Sequence, residues 1–262
     1  MSKVYVITSG KGGVGKTTTT ANLGVGLAMR GKKVVLVDTD TGLRNLDLLL
    51  GLENRIMYDL IDVAEGRVPY KKALVRHKKY ETLFLLPTSQ VKDKTSVNPE
   101  QLVKLCDELR KEFDYILIDM ASMFSTLNLA MLDQSTIVTF LGIVDFLPTI
   151  KNMKIGMDTL KTLGYDKNKI RLVLNRSDAK TRISLADVQK LLGEPFYHVL
   201  PNDFRAASTS IRDGIPLVLA PQRTALGDAL RALVDRYTNH SSTPAETEAK
   251  QQESSWLSRI FG

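Results

Sequence analysis

Gly10-Lys11-Gly12-Gly13-Val14-Gly15-Lys16-Thr17 satisfies the pattern G-x-x-x-x-G-K-[ST] and carries a second lysine, Lys11, at its start. The apolar run Val4-Tyr5-Val6-Ile7 stands before it, and a helical pattern from Thr17 to Arg30 follows. Strand, glycine loop and helix in that order make a phosphate cradle. The glycines let backbone N–H groups turn inward onto phosphate oxygens, and the helix adds the positive end of its dipole. In such a cradle Lys16 reaches the β- and γ-phosphates and Thr17 places its hydroxyl on Mg²⁺, so ATP and Mg²⁺ are the expected ligands.

Outward from the loop, strand-like runs recur at 4–8, 33–37, 83–86, 115–118, 137–141, 171–174 and 196–200, with helical patterns in most of the intervals. That alternation predicts an α/β fold, a mainly parallel doubly wound sheet covered by helices on both faces. Ligands of such sheets bind at the carboxyl ends of strands. Two acids, Asp38 and Asp40, follow the second run, and Tyr115-Ile116-Leu117-Ile118 ends in Asp119. Paired acids at a strand end repel unless a cation or a hydrogen-bond network stabilises them, which points to one supporting a metal and the other orienting water. An acid closing an apolar strand after a phosphate loop is the pattern of a magnesium-supporting aspartate.

Composition bounds the rest. The chain has 262 residues, 43% hydrophobic and 25% charged, as expected for a globular protein with a sizeable core. One cysteine, Cys106, excludes an internal disulfide and a cysteine-based zinc site, and a reducing cytoplasmic setting fits. His77, His198 and His240 have no ligand spacing, so no metal besides magnesium is indicated. No signal peptide is expected, and no apolar run is long enough to cross a bilayer. The net charge of +7 suits an acidic partner, and the basic cluster Lys71, Lys72, Arg76, Lys78 and Lys79 reads as a solvated helix face.

Three segments are expected: an ATPase domain over 1–238, a polar linker over 239–253 rich in Ser, Thr, Pro, Glu and Gln, and a helix over 254–262. Trp256, Leu257, Ile260 and Phe261 share one face of that last helix, the signature of an interfacial membrane anchor or a peptide for a partner's groove.

With Gly10 to Thr18, the Asp38-Thr39-Asp40 pair, Asn45-Leu46-Asp47 and the apolar tail assembled, the chain resembles the MinD/ParA deviant-Walker ATPases. Its first half and tail are most similar to the division-site members, while Leu129 to Leu219 is similar to CpaE-type pilus-assembly ATPases. The resemblance implies an ATPase that forms an ATP-bound homodimer, with Lys11 reaching the partner subunit's phosphates. It further implies Asp40 for the hydrolytic water, Asp38 near the metal, Asn45 in the first switch segment, and Asn175 on the adenine with Pro201 nearby. It implies location on the inner face of the cell membrane, bound to anionic lipid by the tail. The implied protein partner is a division inhibitor or a pilus component; nucleic acid is not expected. Where the family carries a Pro- and Gly-rich segment that senses the γ-phosphate, this chain has Met120-Ala121-Ser122-Met123-Phe124, so beside division-site placement two alternatives stand: a polar-localisation ATPase for pilus or flagellum assembly, and an ATP-operated scaffold with little hydrolysis.

Overall fold

Every central strand of this protein is apolar on both faces, because each lies between two cores. The computed structural model describes residues 2–40, 45–89, 97–122, 125–144, 147–178 and 184–239. Along β1 (Lys3–Ser9), Val4 and Val6 enter one core while Tyr5 and Ile7 enter the other. β5 (Tyr115–Asp119) divides in the same way, Ile116 and Ile118 against Tyr115 and Leu117. Alternation sends successive side chains to opposite faces, so a strand covered on both sides reads as a continuous hydrophobic run.

The remaining strands are β2 (Val34–Asp38), β3 (Val75–Arg76), β4 (Leu83–Leu86), β6 (Ile137–Ile143), β7 (Ile170–Asn175) and β8 (His198–Val199). They form one eight-stranded sheet in the order β3-β4-β2-β5-β1-β6-β7-β8, parallel except for the β3–β4 pair. α1 (Lys16–Ala28) and α10 (Ala225–Thr238) cover one face. α5 (Pro99–Arg110), α6 (Thr126–Gln134), α7 (Leu147–Thr162) and α8 (Leu185–Leu192) contribute to the core on the other face. α9 (Phe204–Asp213) follows β8 and packs on the short α2 (Leu46–Leu49).

The parallel α/β architecture is the one expected, with two differences. β3 lies inside the basic cluster, so that cluster is not a helix face. Lys71 and Lys72 sit in the four-residue α4 (Tyr70–Ala73), Arg76 lies on the antiparallel edge strand, and His77 is buried. The His77 Nδ1 accepts from the backbone N–H groups of Lys79 and Tyr80, and burial lowers its pKa. A two-residue strand is too short to carry an alternation signal. Within the run expected at 196–200 the regular strand is only β8, flanked by bonds from the Tyr197 and Leu200 N–H groups to the Leu172 and Leu174 carbonyls of β7. Cys106 is buried in α5 beside the Met131 sulfur at 3.8 Å, and burial pushes its thiol up to about 11, an inert packing role. Among the described residues no helix is long and apolar enough to cross a membrane. The anchor expected at Trp256, Leu257, Ile260 and Phe261 lies outside the described residues.

Candidate functional site

The loop between β1 and α1 turns at the carboxyl end of the central strand, where β1 lies between β5 and β6. Gly15 has φ of +100°, and a side chain there would bring its Cβ within 2.5 Å of the Asn175 amide nitrogen. The positive φ favours glycine, and any side chain there would displace the Asn175 amide. α5, α6, α8, α9 and α10 each begin with a side-chain cap, from Asn98, Ser125, Ser184, Asp203 and Thr224 respectively. α1 begins at Gly15 with no side-chain cap and no acid in its first turn. Its leading N–H groups are thus left for an external anion.

Beside the loop opens a cavity of about 580 Å³, ample for a nucleotide. Gly12, Gly13, Gly15, Lys16, Thr17 and Thr18 line it, joined by Asp40, Asn45, Asn175 and Pro201 from four other segments. Gly10, Lys11 and Val14 instead border a small crevice against β6 and α7. Lys11 is exposed, whereas Lys16 is 6% exposed. The two lysines of the motif therefore face different surroundings: one lines the cavity, the other is exposed on the outside of the subunit.

Asp38 and Asp119 end adjacent strands in direct register and are both buried beneath the loop. Burial, reinforced by the neighbouring Asp119 carboxylate, holds the Asp38 carboxyl well above the usual range, opposed by the Asp40 N–H that it accepts at 3.0 Å. Burial likewise pushes Asp119 up to about 6, opposed by the Thr17 hydroxyl and by Lys16. Asp119 Oδ1 accepts from the Thr20 hydroxyl at 3.2 Å, while its Oδ2 is buried with no hydrogen-bond partner. Two buried carboxylates, one with an orphaned oxygen next to Thr17, form an oxygen-rich donor set that suits a hard divalent cation.

Asp38→Asn should therefore stabilise the ligand-free protein by about 1 kcal/mol, because it relieves like-charge crowding in a low-dielectric site. The same change should weaken magnesium-dependent nucleotide retention. Urea melts without ligand, paired with nucleotide titrations with and without EDTA, check both halves.

Some contacts of the loop were not legible in the sequence. Ser122 accepts a hydrogen bond from Lys16 Nζ at 2.9 Å, so the segment that departs from the family pattern still reaches the loop's lysine. Asn128 at the start of α6 steadies it by donating to the Ala121 carbonyl at 3.1 Å. Asn175 and Arg176 bond to the backbone of the loop itself, at Val14 O and Gly13 O. The contacts that Ser122, Asn175 and Arg176 make with the loop span 106, 161 and 163 residues, beyond any local periodicity. Phe204, which also lines the cavity, is 76% exposed.

Residues 5–217 match the CobQ/CobB/MinD/ParA nucleotide binding domain. The septum site-determining protein MinD of Helicobacter pylori is 39% identical over 278 residues, an alignment that covers 100% of both chains. It includes the stretch 129–219, for which a pilus-assembly likeness was expected. Among solved structures, the MinC:MinD cell division protein complex of Aquifex aeolicus superposes with a TM-score of 0.80 at 33% identity, covering 94% of this chain and 98% of that one. MinD of Pyrococcus horikoshii, complexed with Mg-ADP, gives 0.79 at 26% identity, over 94% and 100% of the two chains. With the phosphate loop, the acid pair beneath it and a full-length match all agreeing, the chain belongs to the CobQ/CobB/MinD/ParA nucleotide-binding family, as a MinD-like ATPase.

Proposed function

We propose that this chain is a magnesium-dependent ATPase of division-site placement that dimerises around ATP, binds anionic membrane through its C-terminal segment in that state, and there recruits a protein partner. The observation that carries the reading is the buried pair Asp38 and Asp119 under a loop whose Lys16 faces the cavity.

Magnesium would be held by Thr17, Asp38 and Asp119, and when bound it offsets phosphate charge and polarises the phosphoryl oxygens. Lys16 and the N–H groups opening α1 hold the phosphates. Thr39 fixes the backbone between the two acids, its N–H and hydroxyl both donating to the Asp119 carbonyl at 3.0 and 2.9 Å. Asp40 is thereby set at the edge of the cavity, where its carboxylate receives a proton from the attacking water. Asn45 and Pro201 border the same space. The exposed Lys11 suits contact with the phosphates of a second subunit, which would make ATP the bridge of the dimer.

Residues 1–238 then form the ATPase domain, 239–253 a linker and 254–262 the anchor. A short apolar helix binds lipid weakly, on the scale of ~10⁴ M⁻¹ for a single acyl chain, so two anchors held in one dimer raise avidity steeply. The Aquifex aeolicus complex with MinC supports a division inhibitor as the recruited partner rather than a pilus component. Cosedimentation of the full chain with anionic liposomes tests the membrane half. Binding should rise at least tenfold with ATP over ADP and be lost in Phe261→Asp; equal binding in both nucleotide states would refute it.

A further inference from the structure

Arg176, at the end of β7, has φ of +54°, the left-handed region that costs a non-glycine residue of this size steric strain. Among the described residues it is the one non-glycine with a positive φ. The bonds around it make that conformation informative. The Asn175 Oδ1 accepts from the Arg176 N–H at 2.9 Å, and the Asn175 Nδ2 donates to the Val14 carbonyl at 2.9 Å. The Arg176 Nη2 donates to the Gly13 carbonyl at 3.1 Å. Two successive carbonyls of the phosphate loop are thus tied to the end of a strand two places away in the sheet.

A trans peptide is planar, with its N–H opposite its C=O. Holding the Gly13 carbonyl therefore aims the Val14 N–H away from β7, and holding the Val14 carbonyl does the same for the Gly15 N–H. Left to itself, a glycine loop with φ of +74° at Gly13 and +100° at Gly15 has many alternatives open to it.

We propose that Asn175 and Arg176 are positioning residues of the phosphate loop: they clamp its carbonyls outward so that its N–H groups are fixed in advance for phosphate. Asn175 acts here through the loop backbone, whatever it also offers a base. The clamp accounts for the strain at Arg176, because it is from the left-handed backbone that the guanidinium reaches the Gly13 carbonyl. The cost is met in the ligand-free protein, so that ordering the loop does not have to be repeated at each binding event. The inference rests on the nucleotide reading above.

Inorganic tripolyphosphate with magnesium separates a loop clamp from a base contact, since it has phosphates and no adenine. Its affinity and that of ATP are measured by calorimetry for the wild type, Asn175→Ala, Arg176→Ala, Arg176→Lys and Arg176→Gly. The clamp predicts that Asn175→Ala weakens ATP and tripolyphosphate by the same factor, about tenfold. Arg176→Lys, which keeps a single donor, should recover part of the loss seen in Arg176→Ala. Arg176→Gly should melt higher than the wild type, because the strain is relieved, and yet bind tripolyphosphate more weakly. That opposition of stability and binding is not expected of a merely structural residue. Loss of ATP affinity with tripolyphosphate affinity unchanged in Asn175→Ala and Arg176→Gly would overturn the clamp alone. A folded wild type that binds neither ligand would overturn the nucleotide reading and the clamp with it.

Discussion

Lys16→Ala is expected to lower affinity for magnesium-ATP by at least about a hundredfold while leaving a cooperatively folded protein. Lys16 is buried at the cavity wall and its ammonium group donates to the Ser122 hydroxyl, so few native contacts depend on it. Its three ammonium protons are otherwise available for phosphate, and each charge-assisted bond contributes roughly 1.5–3 kcal/mol. Two such bonds exceed the ~2.7 kcal/mol that a hundredfold change requires. Lys16→Arg should not recover the affinity, because a planar guanidinium cannot take the place of a compact ammonium in a walled site. Equilibrium binding followed by a labelled nucleotide, with a circular dichroism melt as the fold control, checks it. An affinity within threefold of the wild type would remove Lys16 from the phosphate site.

The second large effect concerns chemistry rather than binding. Asp40→Ala should reduce ATP turnover by about 10²–10⁴, the range that a positioned general base contributes, and change nucleotide affinity by no more than about threefold. Asp40 borders the cavity and its backbone N–H is held by the Asp38 carboxylate, so its position is set by the buried acid next to it. The split between turnover and affinity identifies a group that acts in the transition state. A parallel loss of affinity would instead place Asp40 among the metal ligands.

The parts of this account that were legible in the sequence are those carried by local pattern. Strands buried on both faces leave unbroken apolar runs, so β1, β2, β4, β5, β6 and β7 could be placed to within about two residues. Asp38 and Asp119 were legible because each closes such a run, and their registration as neighbours follows from the sheet order β2-β5-β1. β3 was hidden, since two residues among lysines carry no period. Ser122 was visible only as a departure from a family pattern; its partnership with Lys16 depends on the turn that follows β5. Asn175 was expected against a base, and the structure also engages its amide with the loop backbone. Arg176 was passed over because nothing in a residue's name reports a left-handed backbone. Side chains that act on a distant backbone leave no spacing to read, whereas those that end strands do.

The measurement that tests the central claim most directly is sedimentation velocity of the full-length Asp40→Ala protein with magnesium-ATP and with magnesium-ADP, since slow turnover keeps the ATP state intact through the run. The account predicts dimer with ATP, monomer with ADP, and monomer with both when Lys11→Ala is added. The same species with either nucleotide, or an ATP dimer indifferent to Lys11, would contradict it.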